Sequence, residues 1–93
     1  MRIVWRPIAE ADLDAIIDFI TRDNPLAAIE LGDTIMRRVV ELAGQPRLYR
    51  TGRVRGTREM VVHPNYVVVY RIKRGTIEIV RILHAARQYP PPR

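Results

Sequence analysis

Tyr66-Val67-Val68-Val69-Tyr70-Arg71-Ile72-Lys73-Arg74-Gly75-Thr76-Ile77-Glu78-Ile79-Val80-Arg81-Ile82-Leu83-His84 is a run of β-branched and aromatic residues interrupted once, by a glycine-bearing separator. It reads as two strands, about 66 to 72 and 76 to 84, joined by Lys73-Arg74-Gly75 as a three-residue hairpin loop with Gly75 in the left-handed position. Side chains alternate across a strand, so Tyr66, Val68, Tyr70 and Ile72 share one face and Val67 and Val69 the other. In the last strand Ile77, Ile79, Leu83 and Arg81 fall together by the same count, opposite Val80 and Ile82. Both faces are apolar, so both need cover.

Outward from this hairpin, residues 58 to 63 make a third β-rich run, ended by Pro64-Asn65. Residues 45 to 57 break every periodicity and carry Arg47, Arg50, Arg53 and Arg55, a basic loop. Further upstream, Leu13, Ile16, Ile17 and Ile20 mark one stripe of a helix over about 8 to 22, with Glu10, Asp14 and Asp18 on another face. Asn24 and Pro25 fit the N-cap and first position of a second helix. Its stripe is Ala28, Leu31, Ile35, Val39 and Leu42, and Gly44 and Pro46 close it. The helical hairpin therefore covers about 8 to 43. Arg2 to Trp5 form a short strand before it, and a proline-rich tail, 85 to 93, follows the sheet. The result is one α+β domain of order β-α-α-β-β-β over residues 1 to 93. One hairpin of helices can cover only one sheet face. The other is expected to stand open and arginine-lined, to be covered by another chain, unless the basic loop and tail fold over it. A protein with such a face is expected to behave poorly alone.

Ninety-three residues with 47% hydrophobic and 28% charged residues make a single small globular domain and exclude a multidomain enzyme. The absence of cysteine excludes a disulfide framework, a thiol nucleophile and a zinc–thiolate site, and two histidines, His63 and His84, make a metal cage unexpected. No cofactor is expected. No apolar run approaches a membrane span and the first residues lack a signal-peptide core, so a cytosolic protein without membrane contact is expected. The net charge of +6 is unevenly placed. Residues 1 to 46 hold five arginines against eight acids. Residues 47 to 93 hold ten arginines and Lys73 against Glu59 and Glu78. Guanidinium groups grip carboxylate and phosphate through a planar fork, which points to contact surfaces in the second half.

Arg81 interrupts an apolar strand face, where an unpaired charge is costly; it must meet a carboxylate, a ligand or an open groove. His84, at a strand end, suits proton transfer near neutral pH or a packing role. Tyr89 could donate a proton, or anchor the tail. His63 reads as a turn residue. The loop arginines fit nucleic-acid phosphates or the acids of a protein partner equally well.

Trp5, Ala11-Asp12-Leu13 with Ile16 and Ile20, Asn24-Pro25 with Ala27-Ala28, Pro46, Gly56-Thr57-Arg58-Glu59, Tyr66, Tyr70-Arg71, and Ile82-Leu83-His84 with Arg87 together resemble the ParE toxins of the RelE/ParE superfamily. The likeness covers nearly the whole chain. It implies a helical hairpin on an antiparallel sheet and a type II toxin held inactive by a cognate, ParD-like antitoxin. ParE-type toxins are associated with poisoning DNA gyrase, whereas RelE-type relatives cleave mRNA on the ribosome. The gyrase reading implies a binding surface built from Arg50, Arg53, Arg55, Arg58, Arg71, Arg81, His84 and Arg87, which the antitoxin would block. The nuclease alternative would use Arg58 and Arg81 for charge stabilisation, with His84 or Tyr89 in proton transfer. Arginine stabilises charge well but stays protonated and serves poorly as a base, and the one lysine lies in the hairpin loop.

Overall fold

The computed structural model describes residues 1–92 and runs β1 (Arg2–Trp5), α1 (Pro7–Thr21), α2 (Pro25–Glu41), β2 (Arg50–Thr51), β3 (Arg58–His63), β4 (Tyr66–Lys73) and β5 (Thr76–His84). Arg93, the end of the expected tail, lies outside the described residues. The helix boundaries follow the local chemistry. Pro7 and Pro25 open their helices, and the Asn24 side chain accepts a hydrogen bond from the Ala27 N–H at 3.0 Å. The expected α+β class holds, with a detail in the sheet that periodicity does not reveal. Its order is β1-β5-β4-β3-β2, and β1 lies parallel to β5, with Ile3 opposite Ile77, while the remaining pairs are antiparallel. A parallel neighbour needs a long crossover, which the helical hairpin begins. The two-residue β2 inside the basic loop is too short to show a pattern.

The β4–β5 hairpin turns on two residues, not three. Lys73 pairs with Thr76, and Arg74 and Gly75 both take positive φ, 50° and 76°, as a type I′ turn requires. Further along, Val69 pairs with Arg81 but Tyr70 pairs with Ile79, leaving Val80 as an extra residue. This bulge resets the alternation. Ile77, Ile79 and Ile82 consequently join Met60, Val68 and Tyr70 in the main core with Leu31, Ile35, Val39 and Leu42 of the helices, whereas Leu83 and Val80 pack with Val69 in a second cluster.

The open sheet face expected from the sequence is therefore largely covered among the described residues, Val61 at 47% exposure excepted. Val67, Val69, Val80 and Leu83 are all buried, and Tyr89 from the tail packs on the last three. The large exposed apolar side chains stand mainly on the helices instead. Leu26, Ile29, Met36 and Val40 make a stripe along α2, and Phe19 and Ile8 project from α1.

Candidate functional site

Only two acids, Glu59 and Glu78, lie in the basic half of the chain, and each serves two arginines. Glu59 on β3 is 2% exposed. Its Oε1 accepts from Arg50 Nη2 at 3.2 Å, and its Oε2 accepts from the backbone N–H of Arg53 at 2.8 Å and from Arg53 Nε at 3.1 Å. Burial alone would raise the Glu59 pKa, but the bonds from Arg53 and Arg50 more than offset it and hold the carboxyl below its ordinary range. The Arg53 guanidinium reaches further, donating to the carbonyl of Arg87 at 3.1 Å and lying 5.6 Å from the centre of the Tyr89 ring. One side chain thus ties the basic loop to β3 and to the tail. The loop itself is closed by Gly52 N–H donating to the Thr57 carbonyl at 2.8 Å, at a point where a Cβ on residue 52 would collide with Thr57 Oγ1. Beside this cluster, Val61, Pro64, Val67 and Ala85 complete a groove of about 430 Å³.

Glu78 accepts from Arg6 Nε, and Arg71 Nε stands 3.0 Å away. Burial would raise its pKa too; the neighbouring Arg6 and Arg71 lower it overall. Arg81 finds its carboxylate on α1. Its Nε and Nη2 donate to Asp12 Oδ2 and Oδ1 at 2.7 and 2.9 Å, and Oδ2 also accepts the Ile82 N–H at 3.0 Å. The bonds to Asp12 raise the Arg81 pKa above its ordinary value. Arg58 bonds neither acid nor solvent groove with its Nη1. That nitrogen donates to the carbonyls of Tyr49 at 2.7 Å and Arg47 at 3.2 Å, while the buried Tyr70 hydroxyl donates to the Pro46 carbonyl at 2.6 Å. Together they pin the start of the loop.

His84 and Arg87 share a groove of about 290 Å³ with Asp12, Ile16, Phe19 and Tyr66. His84 Nδ1 accepts the Ala86 N–H at 3.1 Å, so the neutral ring carries its proton on Nε2. The imidazole meets the Tyr66 ring edge-on at 5.5 Å. His63, as expected, orders a turn: its Nδ1 accepts the Asn65 N–H.

Of the residues expected at a site, the fold gathers Arg50, Arg53 and Tyr89 at the Glu59 cluster, reaches Arg87 through its carbonyl, and joins His84 to the Arg87 side chain in the second groove. Arg58 stands opposite Tyr70, at the other end of the sheet from His84, which stands opposite Tyr66. Four strand positions separate those rows along β4, roughly 13 Å at about 3.3 Å per residue. Arg71 and Arg81 hold their own acids. Arg47, Arg55 and Arg87 are exposed and form no ion pair among the described residues. The sequence reading overlooked Asp12 and Glu59. Asp12 falls four and eight residues before Ile16 and Ile20, on the inner stripe of α1 and off the acidic face of Glu10, Asp14 and Asp18; that spacing was the available signal. Among the described residues no three histidine or acidic side chains group as a metal-holding set, and no helix is long and apolar enough to cross a membrane.

Residues 3–89 match the family model described as the ParE toxin of the type II toxin–antitoxin system, parDE. The chain is 41% identical over 86 residues to toxin RelE2 of Caulobacter vibrioides, covering 92% of this chain and 97% of that one. Among solved structures it is similar to a chain of the chromosomal ParDE system from P. aeruginosa, with TM-score 0.81, 28% identity and coverage of 90% and 95% of the two chains. A YoeB/ParE toxin from Agrobacterium tumefaciens shares the fold at TM-score 0.64 and 15% identity, with 90% and 98% covered.

Proposed function

Because the chain belongs to the ParE toxin family of type II toxin–antitoxin systems, we propose that it arrests growth by binding DNA gyrase through its arginine-bearing surface, without chemistry of its own. A ParD-like antitoxin neutralises it by covering that surface. The observation that carries this reading is the dispersal of the groups that mRNA cleavage would need in one place. Cleavage at a 2′-hydroxyl requires a base at that hydroxyl, an acid at the leaving oxygen and cations around the phosphorane between them. Arg58 is bonded to loop carbonyls, Arg81 to Asp12, and Tyr89 lies beneath Arg53. His84 shares its groove with Arg87, Tyr66 and Asp12, whose carboxylate Arg81 already occupies, while Arg58 and Tyr89 do not line it. Exposed, unpaired arginines such as Arg47, Arg55 and Arg87 suit a binding surface, where a fixed positive charge is all that is asked of them.

The test is supercoiling and cleavage-complex formation by purified gyrase, titrated with the protein alone and with its antitoxin complex. Inhibition relieved by antitoxin is expected. Folded protein that leaves gyrase untouched but cuts mRNA on translating ribosomes would overturn the reading in favour of a RelE-like endonuclease.

A further inference from the structure

The groove beside Glu59 has three properties that belong together. Its charged wall is built before any ligand arrives: Arg50 and Arg53 are both held on a buried carboxylate, so two cations face one anion in fixed positions. Donors remain free on Arg50, whose side chain is 60% exposed and bonds Glu59 through one nitrogen only. Its floor is aliphatic. Val61, 47% exposed, lies in register with Val67 on β4 at the foot of the groove. Among the described residues no aromatic ring lines it, because Tyr89 faces the second core cluster under Arg53.

Immobilised guanidinium groups bind an anion with little further loss of side-chain freedom. A flexible nucleic acid would ask for flat rings on which to stack its bases, and the groove offers branched aliphatic groups instead. An extended peptide presents alternate side chains on one side at about 6 to 7 Å spacing, so a carboxylate can meet Arg50 while an apolar side chain two residues along covers Val61. We infer that this groove seats an extended, acidic and apolar peptide segment of a protein partner. The identification of that partner as the antitoxin rests on the function proposed above; the chemistry of the groove does not. Glu59 here is a positioning residue that aims the two arginines.

The test uses fluorescence anisotropy on the full chain with a labelled hexapeptide in which glutamate and leucine take turns at every second position with serine between them, so that both face the same side. Companion probes replace glutamate by glutamine or leucine by serine, and a single-stranded hexanucleotide competes. The glutamate–leucine peptide is expected to bind, each companion peptide at least tenfold more weakly, and the oligonucleotide to compete poorly. Val61→Glu, at an exposed position, should weaken the peptide at least tenfold with an unchanged circular dichroism spectrum. Arg50→Gln should weaken it about threefold to tenfold and flatten its salt dependence. No peptide binding, equal binding by the Val61→Glu protein, or stronger binding of the oligonucleotide would overturn the inference. A growth assay separates it from the functional reading. If antitoxin co-expression rescues cells from the wild-type and the Val61→Glu toxin at equal dose, the groove is not the antitoxin's seat although the toxin–antitoxin pairing stands. If it rescues neither, the pairing itself fails.

Discussion

Asp12 on the first helix and Arg81 on the last strand are 69 residues apart in sequence and joined by two hydrogen bonds of 2.7 and 2.9 Å. The same carboxylate takes the Ile82 N–H. That amide belongs to the stretch of β5 beyond Ile79, where β1 has ended and offers no further partner. Asp12 therefore completes the edge of β5 and neutralises the charge that interrupts it.

Asp12→Ala should lower stability by about 2 to 4 kcal/mol, because it strands both a partly buried guanidinium and a strand amide. For a domain of this size that is a fall in Tm of about 10 to 20 °C. Asp12→Asn keeps an acceptor for Ile82 and should cost less. Thermal melts of the three proteins check the order; equal Tm values would show that the pair is inert.

Acid should loosen the basic loop before the core. Glu59 and Glu78 both have folded pKa values below the ordinary glutamate value near 4.5. Their stabilising contribution is thus complete above that pH and disappears as pH falls through the depressed values. Glu59→Gln should flatten the acid limb of a stability-versus-pH curve and cost about 1 to 3 kcal/mol at neutral pH. An unchanged acid limb would refute the assignment.

Removing the ring of Tyr89 should uncover the second cluster. Tyr89→Ala is expected to bind more hydrophobic dye than the wild type, and to lose about 1 to 2 kcal/mol. Tyr89→Phe keeps the apolar ring and should do neither. Increased dye binding by both variants would mean that the hydroxyl, not the ring, holds the tail.

His84→Ala should keep most of its toxicity if the protein acts by binding gyrase, since it removes one uncharged contact of a broad arginine-bearing surface and no proton transfer is required. Loss of growth arrest with folding and antitoxin binding intact would favour cleavage chemistry. Arg58→Ala is a poor substitute for this test. It frees the carbonyls of Arg47 and Tyr49 and so disturbs the loop as well as any contact.

Self-association should track the helices. Ile29→Lys and Val40→Lys replace side chains that are 61% and 64% exposed. Each is expected to shift stability by no more than about 0.5 kcal/mol while raising the concentration at which light scattering detects aggregates. No rise would clear the α2 stripe of responsibility.

The long elements were legible because periodicity reports burial: the two helix stripes, the Asn24 cap and three of the strands follow directly from it. The errors arose where one residue changes the count. Val80, extra in the β4–β5 register, moves Ile82 and Leu83 to the faces opposite those that strict alternation assigns. Covering of the second sheet face depends on a single aromatic in a proline-rich tail, which composition cannot position. Arginine clustering announced a charged surface, yet the acids that organise it sit far away in sequence or inside a strand. Asp12 reaches Arg81 across 69 residues, so its spacing to Ile16 and Ile20 marks it as inward-facing without naming its partner, and Glu59 is hidden among strand residues.

The strand order has a bearing on timing. β5, last of the strands in chain order, lies between β1 and β4, which precede it. During synthesis the first strand and the helical hairpin must therefore wait without a central neighbour until residues 76–84 have been made. A product truncated before β5 lacks the strand that joins β1 to β4, all three bonds to Asp12 and the His84 groove. Synthesis through residue 84 is thus a prerequisite for an assembled sheet, and a chain halted before that point presents no finished surface to bind.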